Sequence, residues 1–593
     1  MASGPSWRAV FCSFTCLVLI QSVLFYLYFP RIEFNRYDPF KPLKRGLTKE
    51  LKEIYLEMQK LHIHKKVPSA RLVQKLEEIV NRLDSRLQPA NITSGTLGKN
   101  GGVDVCPEEF KGTLAGFQFY TTGWDITNCT NAKPISSVIS ISVNTVAYPS
   151  KDENNIEKVL KGITETYPTI QVYLATRSDQ VIEAAKRYNV DAFKVYNANL
   201  GKGWNMLIRK VSTPYVLVAR DVFHFTWLTQ LERQIRVATQ IPNVGVAGGS
   251  YRNFSGHWKA GCVQTTMKNY VLEYQEGYYH SRNECMFCDY LQGPFVAKTR
   301  LLKFDESLPN EVIFEDWFLR VVEARHMTMS CPDAMYFTTD YNFNSRRTDK
   351  NVWKPLAKKW ELNRVLLPQG VKHSFSCQDI GFECNAKSAL LPVCCQEEYA
   401  DALWFVQKFA DTHNVTFELD AGSLLGGVKF NGLLPWDLDG DIKVLLSDFA
   451  IFSKRETVDH FRKNGYELSE YGIQDDGERG YVKISFNKFY IEVWGRPAVT
   501  NTQYLPAELQ KHATFTKANI RGNWIDTAFS PGLFARNRYG REILKHSQSW
   551  IKLGLEHSYS DYDPGSFAPC QRPNHHSCLQ LFPADGSIPF LVT

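Results

Sequence analysis

Three aspartates, Asp437, Asp439 and Asp441, occupy alternate positions in LLPWDLDGDIKVLL (residues 433–446), with apolar residues on both sides. In an extended chain, residues i, i+2 and i+4 project to one face, so the three carboxylates converge. Converging carboxylates repel and retain protons unless a divalent cation neutralises them. Their hard oxygens suit Mg2+ or Mn2+ beside substrate phosphates. A solvated turn of Asp and Gly accounts for the same letters. An EF-hand does not, because no Glu stands at its twelfth position. On the triplet alone, turn and metal site both stand.

The flanking segments favour the metal site. Upstream, a strand-like VTFELD leads into Gly422-Ser423 and a short apolar helix. A Gly-Ser step opening a helix offers backbone N–H groups to a phosphate. Downstream, YVKISFNKFYIEVWG reads as two strands joined by a tight turn at Asn487-Lys488, with Glu492 in an otherwise apolar second strand. Lys483, one strand from Glu492, and the basic cluster Arg536, Arg538 and Arg541 are candidates to hold phosphate or an anionic acceptor. A solvated helix end explains that cluster equally well. Phosphate cradle, spaced aspartates and a later carboxylate resemble the nucleotidyltransferase fold.

The segments LDAGSLLGGVKFNGLLPWDLDGDI and YIEVW resemble the LicD family, and the likeness covers roughly the last 220 residues. Its fukutin and fukutin-related members transfer a phospho-alditol or phosphocholine group from a CDP-linked donor. The resemblance implies that Asp437, Asp439 and Asp441 are Mg2+ or Mn2+ ligands, and that Glu492 stands where the family usually has Asp. It implies a glycan hydroxyl on a glycoprotein as acceptor, with ribitol 5-phosphate as the group moved. Phosphocholine is the alternative, for which an aromatic box among Trp404, Trp436 and Trp494 would speak. A non-catalytic partner protein is a further alternative.

Cys377, Cys384 and the adjacent Cys394-Cys395 fall within 19 residues of chain. They could form two disulfides or a four-thiolate zinc site, and disulfides are the ordinary outcome in an oxidising compartment. Similarly spaced cysteines hold structural zinc in fukutin-related proteins, so the resemblance implies zinc. Cys106, Cys129, Cys570 and Cys578 read as disulfide cysteines. His575 and His576, between the last two, read as exposed loop residues.

At 593 residues, with 44% hydrophobic residues, the chain is too long for one core. A net charge of +7 is modest for this length and does not suggest a nucleic-acid partner. Residues 9–29 carry no charge and are long enough to span a bilayer, so they read as a signal-anchor. Arg31, Arg36, Lys41, Lys44 and Arg45 follow this span while only Arg8 precedes it, which argues for the opposite orientation. Sequons at Asn91, Asn128, Asn253 and Asn414, the cysteines and the resemblance favour a single-pass type II protein of the Golgi or ER with a lumenal catalytic part. Two helical stripes between residues 47 and 83 suggest either packing helices or a stem that makes a homo-oligomer.

After LGKNGGVDVC, strands and helices alternate (ISSVISISV, NIEKVLKGITET, TIQVYLAT, DQVIEAAKRYN, PYVLVARD), implying a parallel, helix-covered sheet. The segment resembles a family-2-type GT-A glycosyltransferase. Its metal motif would be reduced to Asp221, and Glu315-Asp316 would supply the base. The loss of a D-x-D favours an inactive domain, although a bifunctional chain remains an alternative. Asp316 has a second reading, since acidic residues opening a helix stabilise its dipole. The expected fold class is thus α/β and α+β. Its expected organisation is an anchor (1–30), a helical stem (31–105), a GT-A-like doubly wound domain (106–345), a linker (346–375) and a nucleotidyltransferase-fold catalytic domain with a zinc-binding loop (376–593).

Overall fold

Four apolar segments of the first half form a parallel sheet, β1 (Ile139–Asn144), β2 (Val172–Thr176), β3 (Asp191–Lys194) and β4 (Tyr215–Val218), in the order β3-β2-β1-β4. Beyond β4 lie β5 (Val244–Arg252), β6 (Phe295–Lys298) and β7 (Met327–Thr338). The antiparallel β6 separates β4 from β5, and β7 runs parallel to β5. The computed structural model describes residues 132–147, 153–241, 243–278, 280–339, 348–384, 389–475, 477–511 and 514–540, with short pieces at 51, 105–106, 543–544, 570–572 and 575–579. β1, β2 and β4 are buried along their whole length, as expected of parallel strands covered on both faces. Apolar cores lie against both faces of this sheet, which matches the expected GT-A-like α/β layering.

The segment read as a linker is instead folded structure. It contains α2 (Lys350–Trp360), which follows α1 (Ile313–Glu323), and the strands Arg364–Leu366 and Lys372–Ser374. Those strands complete a second sheet with the hairpin Cys262–Lys268/Val271–Glu276 of the first half. Trp353 and Leu356 are fully buried, so the segment belongs to the core.

The C-terminal half is built on β8 (Phe417–Leu419), β9 (Asp439–Leu445), β10 (Glu467–Ile473), β11 (Gly480–Phe486) and β12 (Phe489–Arg496). The order is β8-β9-β12-β11-β10, with β9 and β12 parallel and the other pairings antiparallel. Burial alternates strictly along β9, β11 and β12. Ile442, Val444, Val482, Ile484, Ile491 and Val493 are fully buried on one face, in the core covered by α3 (Val393–His413). The other face is open and carries the polar residues. α4 (Ala421–Phe430) follows β8, and α5 (Pro531–Tyr539) packs against α4.

The two halves interlock. The two-residue hairpin turn Asn269-Tyr270 has positive φ at both positions (51° and 63°), and it drives Tyr270 into the C-terminal half. There the Tyr270 hydroxyl donates to the Leu390 carbonyl (2.5 Å) and its backbone N–H donates to His576 Nδ1 (3.2 Å). The Cys570–Cys578 disulfide closes the loop that carries this histidine. Here the sequence expectation is corrected. His576 is buried, with its pKa pushed down to about 3 by desolvation and by the neighbouring His575. His575 is 2.8 Å from Glu361, which also pairs with Arg572.

The expected single-pass membrane placement is also corrected. Among the described residues, no helix is long and apolar enough to cross a membrane. The expected anchor at 9–29, all but residue 51 of the stem stripes, and Asn91, Asn128, Cys129 and Arg541 lie outside the described residues.

Candidate active site

Register places the polar residues of the open face in rows across three strands. Asp439 pairs with Tyr490, which pairs with Ser485. One step along, Asp441 lies beside Glu492, and Glu492 beside Lys483. The next row is Lys443, Trp494 and Tyr481, followed by Leu445 beside Arg496. Asp441 and Glu492, 51 residues apart in sequence, are therefore neighbours on one ladder. Asp437 lies just before β9, in the turn that leads into it.

α4 holds this turn in place. A Cβ on Gly422 would lie 2.6 Å from Asp437 Oδ2, so only glycine permits the carboxylate so close to the start of the helix. Ser423 is buried, and its hydroxyl accepts the Asp441 N–H (3.1 Å) and meets the Tyr399 hydroxyl (3.2 Å). The Tyr399 hydroxyl donates to the Asp439 carbonyl (2.5 Å). Ser423 and Tyr399 thus brace the backbone that carries the aspartates. At the end of β8, Asp420 is gripped by Lys443 (3.0 Å) and Arg538 (2.7 Å). Sequence reading missed Asp420, Tyr399 and Lys443. The signal for Asp420 was present, as an acidic residue ending VTFELD two positions before Gly422.

Electrostatically, the row is only partly compensated, by Arg538 near Asp441 and by Lys483 beside Glu492. Burial, reinforced by Asp439 and Asp441, pushes the Asp437 carboxyl well above the usual range. Asp441 is pushed up to about 7, first by burial and then by Asp439, Asp420 and Glu492, with only Arg538 opposing among the main influences. Glu492 is raised by burial and by Asp439 despite accepting a hydrogen bond from the Tyr481 hydroxyl (3.1 Å). Asp420 behaves oppositely, because Arg538 and Lys443 together outweigh its burial and hold it low. Among the described residues, the triplets whose ligand atoms close within 4.8 Å of one another are Cys377/Cys384/Cys395 and Cys285/Cys331/Asp333. The three aspartates do not close into such a triplet, although the Asp437 and Asp439 carboxyls are hydrogen-bonded to each other.

Lys483 Nζ is 3.6 Å from Glu470 and lies over the Tyr490 ring (4.3 Å). Of the basic cluster, Arg538 reaches the site through Asp420, and Arg536 is exposed. The three tryptophans have separate neighbours. Trp404 lies under Lys408, Trp436 meets Phe430 and Lys429, and Trp494 meets Tyr481 and Arg496. Asn414 is exposed at the left-handed end of α3. Asn253 sits in a loop where its side chain accepts the His257 N–H (2.8 Å).

Sulfur atoms of all four clustered cysteines come together. Cys377–Cys394 and Cys384–Cys395 are paired as disulfides, and Cys377 Sγ lies 3.3 Å from Cys395 Sγ and 3.7 Å from Cys384 Sγ. Cys285–Cys331 and Cys262–Cys288 are further disulfides, and Cys106 is also disulfide-bonded.

In the GT-A-like half, Asp221 has φ 57° and its carbonyl accepts the Thr339 N–H (2.8 Å). Glu315 and Asp316 open α1 and are fully buried. Asp316 is bound by Arg320 (2.9 Å), Lys359 (2.7 Å) and the Trp360 indole N–H (3.0 Å), the last two from α2.

Residues 414–520 match the family model described as LicD/FKTN/FKRP, nucleotidyltransferase domain, so this stretch is similar to that family. Curated relatives include the β-1,4 N-acetylgalactosaminyltransferase 1 of Rattus norvegicus, 26% identical over 223 residues, and that of Homo sapiens, 31% identical over 223 residues. Each alignment covers 34% of this chain and 39% of the relative, so the chain spans about two fifths of their length. Among solved structures, a mannosyltransferase from Pyrobaculum calidifontis overlaps at 13% identity and a TM-score of 0.24, covering 37% of this chain and 61% of that one. An overlap of that size bears on neither fold nor function.

Proposed function

We propose that the C-terminal domain is a metal-dependent transferase that moves a phospho-alditol, ribitol 5-phosphate first among them, from a CDP-linked donor to a glycan hydroxyl. The observation that carries this reading is the only partly compensated row of Asp437, Asp439 and Asp441 beside Glu492 on the open face of a LicD-type sheet. Hard oxygen donors gathered in one place, with the proton affinities of Asp437 and Asp441 raised, fit a divalent cation, and these three aspartates would hold it. Bound there, Mg2+ or Mn2+ would neutralise charge on the donor diphosphate.

The chain's own residues do the rest. Glu492, with raised proton affinity and oriented by Tyr481, accepts the acceptor hydroxyl's proton. The hydroxyl oxygen bonds to the phosphorus that bears the alditol as the bond from that phosphorus to CMP breaks, and CMP leaves as the anion. Backbone N–H groups at the start of α4 face the incoming phosphates. The Ser423 hydroxyl, engaged internally, keeps Asp441 in place.

The test uses the full chain with Mg2+ or Mn2+, a mixed glycan pool, and CDP-ribitol, CDP-glycerol or CDP-choline in turn. CMP release and acceptor mass are followed, with Asp439→Ala as the blank. Transfer of ribitol phosphate that is lost in the variant is expected. Transfer from CDP-choline alone would replace the alditol by phosphocholine, and equal behaviour of both proteins with every donor would favour a non-catalytic partner.

The curated relatives, named as N-acetylgalactosaminyltransferases, support a second reading, hexosamine transfer, for which the GT-A-like half would be the candidate. Against Asp316 as its base stand the three groups already bound to that carboxylate. Transfer from UDP-N-acetylgalactosamine that survives Asp439→Ala but not Asp221→Ala would establish it.

For the cysteine cluster we propose structural zinc. Zn–S bonds of about 2.3 Å place the sulfurs of a tetrahedral centre roughly 3.8 Å apart; Cys377 and Cys384 already stand at 3.7 Å, and the disulfides Cys377–Cys394 and Cys384–Cys395 would have to be reduced for the four thiolates to bind the ion. One zinc per chain with four protected thiols is expected by elemental analysis and thiol titration. No zinc and no thiols would establish the two disulfides.

A further inference from the structure

Next to the acidic row, a cavity of about 710 Å³ opens between the far end of the sheet and α5. Its lining joins Lys443 and Arg496 of the open face to Thr500, Gln503, Tyr504 and Phe529, with the buried Glu418 carboxylate in the wall held by the Thr500 N–H (3.0 Å) and hydroxyl (2.7 Å). Three observations define what it takes. First, the aromatic surface is presented outward. Tyr504 is 63% exposed and Phe529 36%, with ring centroids 5.2 Å apart. Flat exposed rings flanked by amide and hydroxyl groups suit the mixed apolar and polar faces of a sugar.

Second, the two cations differ. Lys443 is committed to Asp420 (3.0 Å) and lies over Phe534 (4.5 Å). Arg496 is partly exposed and stacks over Trp494 (5.4 Å), and among the described residues no carboxylate is paired with it. An arginine fork left open at a cavity wall is suited to a phosphate or carboxylate. Third, Arg496 stands apart from the aspartates along the strand. It lies four residues beyond Glu492 on β12, about 13 Å at roughly 3.3 Å per residue, and Trp494 stands between them on the same face. An anion bound at Arg496 would thus lie two ladder rows beyond Asp441 and Glu492.

We infer that this cavity is the acceptor subsite, and that the acceptor is an anionic glycan whose phosphate or carboxylate group lies on Arg496 while a neighbouring sugar ring stacks on Tyr504 and Phe529. This deepens the transferase reading above and rests on it.

The test is direct binding to the full chain without donor. The probes are oligosaccharides ending in a phosphorylated N-acetylhexosamine, in glucuronic acid, or in neutral N-acetylhexosamine. CMP with Mg2+ is titrated separately. Charged glycans are expected to bind about tenfold or more tighter than the neutral one, and the stronger of the two charged probes identifies the anion. Arg496→Ala should abolish that preference, Arg496→Lys should restore part of it, and Tyr504→Ala should weaken all three glycans. CMP binding should stay unchanged in every variant. Equal binding of charged and neutral glycans, or no glycan binding by a protein that still binds CMP, overturns the inference and leaves the transferase reading standing. Loss of CMP binding in Arg496→Ala also overturns it, assigning the cavity to the donor nucleotide. Absence of both CMP and glycan binding in a folded chain would overturn both.

Discussion

In the GT-A-like half, Asp316 is sealed from solvent between Arg320, Lys359 and Trp360, whereas in the C-terminal sheet Asp441 faces Asp439, Glu492 and a distant Arg538. Both are acidic residues close to a sheet and a helix start. The first has its charge answered by partners that also tie α2 to α1, so removing it would cost stability. The second is surrounded by its own kind, so the fold bears a cost that a cation and a substrate relieve. Compensation, more than residue type, separates a structural carboxylate from a candidate catalytic one.

The comparison is most directly broken by two exchanges. Asp439→Ala is expected to reduce metal-dependent CMP release on the order of 10³-fold or more, with the folded state intact by circular dichroism. Asp316→Asn is expected to leave that release unchanged but to cost about 3 kcal/mol of stability, read from denaturant unfolding. If the two variants exchanged these effects, the assignment of roles would be reversed.

Glu492→Gln sharpens the second half of the comparison. A drop in turnover of about 10²-fold, with loss of the acidic limb of the pH–rate profile, is expected of a proton acceptor. Unchanged turnover would leave Glu492 as a bystander of the aspartates.

The smallest expected effect concerns pH. Asp441 has its proton affinity raised on folding, so without a cation the folded chain holds more protons than the unfolded one between about pH 4 and about pH 7. Stability contributed by that group therefore falls as pH rises through the window. A divalent cation competes with those protons, so Mg2+ or Mn2+ should raise the melting temperature more at pH 8 than at pH 5. An equal rise at both values would mean that the cation binds elsewhere.

Alternation made the polar face of the C-terminal sheet legible before any fold was known. Asp439 and Asp441 at alternate positions, and Glu492 in an apolar run, announce one polar face on buried strands, whereas Asp437 falls in the turn before the strand. The strand–helix alternation of the first half announced a parallel sheet in the same way, since periodicity is a local property. Other features were not local. The segment 346–375 looked like a linker because its strands are short and find their partners some 90 residues upstream, on Val271–Glu276. His576 looked exposed because its burial depends on Tyr270, 306 residues away.

The sequence by itself thus determined which residues share a face, where the chain turns, and that carboxylates would accumulate on one strand. Only the tertiary structure decided which carboxylates are answered. It placed Glu492 beside Asp441, gave Asp420 its two cations, closed Lys359 and Trp360 over Asp316, and left Arg496 open on the cavity wall. The reason is physical: spacing along a chain fixes side-chain direction within an element, but the field at a charge depends on distances across elements, and those are set only when the elements pack.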